Sequence, residues 1–143
     1  MKGKVLVIED NQAWQDLLKK YLERDGFYVE IVDNLESALT KVKHELFHFI
    51  TIDMRLDDSN QAPGRYEGWT ILKVVKELRI QNLTPCMIVT AHGEDYHELK
   101  KSKNVESLFI MEKANFDRKQ FLAIINRMVE QNDLRFKDDH RGV

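Results

Sequence analysis

Val5-Leu6-Val7-Ile8-Glu9-Asp10 is an unbroken run of four apolar residues that ends abruptly in two carboxylates. So short and uniform a run marks a strand covered on both faces, as in a parallel sheet. Outward from it, four runs of the same kind follow: Tyr28 to Val32, Phe49 to Ile52, Met87 to Val89 and Leu108 to Met111. Helical patterns separate them. Trp14, Leu17, Leu18, Tyr21 and Leu22 recur at helical spacing, and Gly26 then offers the positive φ that ends a helix. Leu35, Ala38, Leu39 and Val42 repeat the pattern behind a capping pair of Asp33 and Glu36, and Leu72, Val75 and Leu78 do so after Gly68. Phe121, Ile124, Ile125, Met128 and Val129 form the last helix, capped by Asp117 and Gln120. Between Glu94 and Lys103 the large apolar residues are only Tyr96 and Leu99, which predicts a weakly anchored fourth helix. Strand and helix in strict alternation predict an α/β protein, a three-layer (βα)5 sandwich around a parallel sheet.

The rest of the composition agrees with one globular unit. At 143 residues, with 43% hydrophobic and 32% charged side chains, the chain can bury a single core and coat it. The 22 Lys and Arg nearly balance the 24 Asp and Glu, so there is no electrostatic footprint for nucleic acid or an anionic membrane. Cys86 is alone, and the run from Val5 to Ile8 is too short for a signal peptide or a membrane span, so a cytoplasmic location is expected. Asn132 to Val143 is mostly charged and reads as a frayed tail or the stub of a linker.

In an open parallel sheet, ligands bind beyond the carboxyl ends of the strands. There the first strand delivers Glu9 and Asp10, the third Asp53 and the fourth Thr90, while Lys113 follows the fifth. Singly, each has an ordinary explanation: Asp10 or Thr90 as a helix cap, Lys113 as a solvated charge. Together they pose an electrostatic problem, because clustered carboxylates repel unless protons or a divalent cation compensate. Mg2+, hard and oxygen-ligated, is the economical solution, and it leaves coordination positions for phosphate oxygens. One carboxylate, loosely engaged by metal, could then act as nucleophile.

These residues, in this order on these strand ends, resemble the receiver domain of two-component response regulators, of the single-domain chemotaxis-regulator type. The likeness covers residues 3 to about 131 and leaves 132–143 as the charged tail. It implies a flavodoxin-like fold with strand order 2-1-3-4-5. It also implies that Glu9, Asp10 and Asp53 bind Mg2+, with the Arg55 carbonyl completing the shell, and that Asp53 accepts a phosphoryl group contacted by Thr90 and Lys113. The implied donor is a histidine kinase or phosphotransfer protein. Output would be a protein contact through the fourth helix, fifth strand and fifth helix, with Tyr96, Lys100, Lys101, Lys103 and Glu106 as candidates; a homodimer is a further partner. No enzymatic turnover is implied beyond intrinsic self-phosphorylation and self-dephosphorylation.

The chain departs from that pattern in places. Receivers usually carry a cis proline after the lysine; here Ala114 follows, where cis would cost about 2.5–4 kcal/mol, so a trans bond and a reshaped loop are expected. The switch aromatic, three residues before the lysine, is replaced by Ile110, and Phe109 belongs to the opposite face of a regular strand. A phosphorylation-independent interaction module is therefore the alternative. The stretch Met54 to Glu67 is longer than usual and reads as mobile. Arg55 and His92 flank the approach of attacking water and read as modulators of acyl phosphate lifetime. His44-Glu45-Leu46-Phe47-His48 matches the zinc-peptidase motif, a remote alternative that needs both histidines on one continuous helix.

Overall fold

The computed structural model describes residues 1–54, 56, 70–71, 84–91 and 109–131, and the backbone of 132–141 as helix. The expected helices at Leu72 to Leu78 and Glu94 to Lys103, nearly all of the long stretch after Met54, Arg55, His92 and the candidate output residues Tyr96 to Glu106 lie outside the described residues.

The elements are β1 (Lys4–Ile8), α1 (Gln12–Arg24), β2 (Tyr28–Val32), α2 (Leu35–His44), β3 (Phe49–Ile52), β4 (Cys86–Thr90), β5 (Phe109–Glu112) and α3 (Arg118–Arg141), with a 3-10 turn at Lys113–Asn115. The strands form one parallel sheet of order β2-β1-β3-β4-β5. The period-two alternation of strand side chains divides the core in two. Leu6, Ile8, Ile50, Ile52 and Ile88 face α2, packing with Ala38 and Val42. Val5, Val7, Phe49, Met87 and Val89 face the opposite layer, where Leu18 and Leu22 of α1 meet Phe121, Ile125 and Val129 of α3. Each sheet face thus acquires its own helical cover, as expected.

Local signals explain most element boundaries. Asn11, in extended conformation, caps α1 by accepting a hydrogen bond from the Trp14 amide. At the other end Gly26 adopts φ +98°, and the amides of Phe27 and Gly26 donate to the carbonyls of Leu22 and Glu23, a Schellman closure. A side chain at Gly26 would be strained by that φ. Asp117 caps α3 through the Gln120 amide, as its sequence predicts.

Two expectations need correction. The cap of α2 is Asn34, not Asp33: the extended backbone of Asn34 directs its carboxamide oxygen to the Ser37 amide, and Asp33 accepts from the Asn34 side chain instead. The zinc-peptidase alternative fails because α2 ends at His44 and Glu45 is already extended (φ −129°, ψ 150°), so the two histidines do not lie one turn apart on a helix. His48 instead belongs to the amino end of the central strands: its Nδ1 accepts from the Lys4 amide at 3.0 Å while its own amide donates to the Lys4 carbonyl at 2.8 Å. Glu45 is bonded to Lys4 at 2.8 Å and Lys41 at 2.7 Å, within a network that also takes in Glu30. The helix α3 itself runs on through Asn132 to Arg141, and no Gly or Pro interrupts the chain before Gly142.

Among the described residues, Thr51 is a buried oddity of the central strands. It pairs with Val7 and Met87 on the α1–α3 face, yet its hydroxyl is fully buried without a hydrogen-bond partner. An unpaired buried hydroxyl costs roughly 1–3 kcal/mol. Thr51→Val, which keeps the branched shape and removes the hydroxyl, is expected to stabilise the fold by about 1 kcal/mol. The measurement is a higher urea midpoint with unchanged slope; a lower midpoint would reveal a partner for that hydroxyl.

Candidate metal centre

The central strands continue their ladders one residue past their ends. The Glu9 amide donates to the Val32 carbonyl and the Asp53 amide to the Ile8 carbonyl, both at 3.0 Å. That extension fixes Glu9 and Asp53 side by side at the carboxyl edge, beside the point where strand order reverses between β1 and β3. Glu9 is 1% exposed and Asp53 5%, whereas Asp10 is open to solvent. Carboxylate oxygens of the three residues lie within 4.8 Å of one another, and among the described residues this is the group with metal-ligand composition and spacing.

Lys113 reaches in from the turn after β5. Its ammonium lies 2.6 Å from Glu9 Oε1 and 3.3 Å from Asp53 Oδ2. The other Glu9 oxygen accepts from the Asn11 amide at 3.1 Å, and the Glu9 carbonyl accepts from the Gln15 side chain at 2.7 Å. Thr90 is wholly buried at the end of β4, next to Glu112 of β5 in register. So Glu9, Asp10, Asp53 and Lys113 are brought together, and Thr90 stands at the end of the strand beside them; Arg55 lies outside the described residues.

At such separations two carboxylates repel by roughly 3 kcal/mol at an effective dielectric of about 20, and the Lys113 ammonium bridges two of the three, Glu9 and Asp53. Burial, reinforced by the negative charge of Asp53, pushes the Glu9 carboxyl up to about 7, against the pull of Lys113. Burial works against the Lys113 ammonium, but Asp53 and Glu9 outweigh it and hold its pKa above the ordinary lysine value. A set of carboxylate oxygens gathered this closely suits a hard cation such as Mg2+.

The residues around the acidic cluster were less visible in the sequence. Asn11, rather than Asp10, caps α1, and Trp14 and Gln15 in its first turn touch the site although their spacing marks only a helix. On β5, Ile110 packs into the α2-side core and Phe109 into the other, as the regular alternation requires. The described peptide bonds are all trans, that of Lys113-Ala114 included, and a 3-10 turn occupies the loop.

The family model of the response regulator receiver domain matches residues 5–132, and the chain belongs to that family. Among curated relatives, the transcriptional regulatory protein ResD of Bacillus subtilis is 27% identical over 97 residues, 68% of this chain and 36% of that protein. A CpxR homolog of Haemophilus influenzae is 30% identical over 93 residues, 65% of this chain and 36% of that protein. The chain thus spans about a third of the length of these relatives. Its fold is that of the signal receiver domain of a LuxO repressor protein from Vibrio parahaemolyticus (TM-score 0.74, 19% identity, 94% and 95% of the two chains). It is also that of the receiver domain of the sensor histidine kinase PA1611 from Pseudomonas aeruginosa (TM-score 0.70, 18% identity, 90% and 98%), which holds a magnesium ion in its active-site cleft. No helix among the described residues is long and apolar enough to cross a membrane.

Glu9 sets a pH dependence. Its folded value lies above the ordinary 4.5, so between about 4.5 and 7 the metal-free fold holds more protons than the unfolded chain, and its contribution to stability falls as pH rises through that window. A cation needs the ionised form. Mg2+ affinity is therefore expected to rise about tenfold between about pH 6 and 8, with proton release, measured by calorimetry in buffers of different ionisation enthalpy. Glu9→Gln should weaken binding and flatten that profile; a wild-type affinity independent of pH would contradict the assignment.

Proposed function

We propose that this domain, residues 3–131, is a phosphoacceptor switch in which Asp53 takes a phosphoryl group from a histidine kinase or phosphotransfer protein in a Mg2+-dependent reaction. The observation that carries this reading is the Lys113 ammonium bridging Glu9 and Asp53 beside the acidic cluster at the sheet edge. Glu9, Asp10, Asp53 and the Arg55 carbonyl would hold the metal, which when bound neutralises phosphoryl oxygens and aligns the transfer. A carboxylate oxygen of Asp53 attacks phosphorus: the new O–P bond forms as the donor N–P bond breaks, its electron pair leaving with the imidazole nitrogen. Lys113 compensates the charge growing on the equatorial oxygens. The Thr90 hydroxyl donates to the phosphoryl group and draws its loop inward. That movement would alter the surface expected around residues 94–103, β5 and α3, which would meet a protein target or a second copy of the chain. The domain acts in the cytoplasm, neither on nucleic acid nor at a membrane, and without enzymatic turnover; residues 132–143 are its charged tail or connection.

One feature favours a second reading. Ile110 and Phe109 leave the Thr90 side of β5 without the family's aromatic, which supports an interaction module that operates without phosphorylation. Acetyl phosphate with Mg2+, followed by intact mass, separates the two. Gain of one phosphoryl group on the wild type but not on Asp53→Asn is expected. Equal labelling of both would reject Asp53 as acceptor, and Mg2+ binding without labelling would favour the module.

A further inference from the structure

A second arrangement surrounds Lys113, built from residues that no part of the acidic cluster requires. The Lys113 ammonium, between Glu9 and Asp53, also lies 5.3 Å from the centre of the Trp14 ring, within cation–π range. The loop beyond it exposes Ala114 and Asn115, and its first anchor is Phe116. The Phe116 ring meets Trp14 edge-to-face at 5.2 Å, stacks on Tyr21 at 6.2 Å and leans on Phe121 at 5.1 Å. Trp14 therefore touches both ends of the turn that carries the lysine: its charged tip directly, and its backbone exit through Phe116.

Trp14 is itself tied to the acidic pair. The Asn11 amide donates to Glu9 Oε2, and the Trp14 amide donates to Asn11 Oδ1. The contacts close into a ring of four residues, from Glu9 to Asn11, Trp14, Lys113 and back to Glu9. A lysine on a flexible four-carbon stem gains little precision from two carboxylates alone, since they fix only where charge is favourable. An aromatic face on a helix whose start is bonded to one of those carboxylates adds a direction. A side chain needed only to fill the core would require volume at this position, not an aromatic face.

We propose that Trp14 is a positioning residue for Lys113, with Phe116 as its support, and that α1 and the turn after β5 are thereby held in one register at the phosphoryl site. The catalytic part of this proposal rests on the reading of Asp53 as acceptor; the contact itself does not. Two measurements keep these separate. In proton NMR the ε-methylene of Lys113, assigned by loss of its signal in Lys113→Arg, is ring-current shifted in the wild type and in Trp14→Phe, and returns toward the random-coil position in Trp14→Leu. This readout needs no phosphoryl transfer. With acetyl phosphate at saturating Mg2+, Trp14→Leu lowers the maximal rate of Asp53 phosphorylation about tenfold while the half-saturating donor concentration changes less than about twofold; Trp14→Phe stays within about threefold of wild type. Phe116→Leu falls between them. An unshifted Lys113 in the wild type overturns the proposal even if Trp14→Leu fails to fold. Equal rates for Trp14→Leu and Trp14→Phe overturn its catalytic part. A shifted Lys113 in a wild-type protein that takes up no phosphoryl group rejects the proposed function and leaves the contact standing.

Discussion

Carboxylates crowded onto one sheet edge call for positive charge among them, and among the described residues Lys113 supplies it to the two buried ones. The 2.6 Å bond to Glu9 and the 3.3 Å bond to Asp53 join the ends of β1 and β3 to the turn after β5. Lys113 does not cancel the cost of burying Glu9 beside Asp53: burial first, and the Asp53 charge second, push the Glu9 carboxyl up to about 7. Proton and cation are thus alternative answers to one buried carboxylate pair.

That edge exists because of the alternation beneath it. Even-numbered residues of β1 and β3 pack toward α2 and odd-numbered ones toward α1 and α3, so neither strand can slip by one residue without exchanging cores. Register fixed in this way carries Glu9 and Asp53 to the same level, one residue beyond Ile8 and Ile52. The same rule separates Ile110 from Phe109. A one-residue offset of an aromatic along β5 is not a small change, because it sends the ring to the other layer of the protein.

What could be read in advance follows this physics. Strands apolar on both faces announce themselves in Val5 to Ile8 and Phe49 to Ile52, and the residue after each becomes a site candidate once a parallel sheet is assumed. Gly26 was legible because few residues other than glycine accept its φ. The α2 cap was not: Asp33 and Asn34 are both good capping residues, and the choice rests on backbone angles that spacing does not encode. The zinc motif misled because a pattern of letters says nothing about where a helix stops, and α2 stops at its first histidine. Trp14 was hidden differently. Its spacing assigns it to the buried stripe of α1, and it does pack against that core, but its second neighbour comes from a turn about a hundred residues further on.

The resting ion pair and the proposed reaction make opposite demands on Lys113. Before transfer, Glu9 is its shorter partner. A phosphoryl group on Asp53 would raise the charge there from one to about two negative units, so the electrostatic preference of the ammonium would tilt away from Glu9. The ammonium would then shift toward Asp53, and the Trp14 ring, 5.3 Å from it at rest, would still attract it, because a ring quadrupole attracts charge without the directionality of a hydrogen bond. Glu9, released from Lys113, would keep its bond to the Asn11 amide, and that amide belongs to the residue that caps the helix bearing Trp14. On the proposed reading the ammonium would shift between neighbours that α1 and the turn after β5 hold in register, while the loop after Thr90 is the backbone that moves.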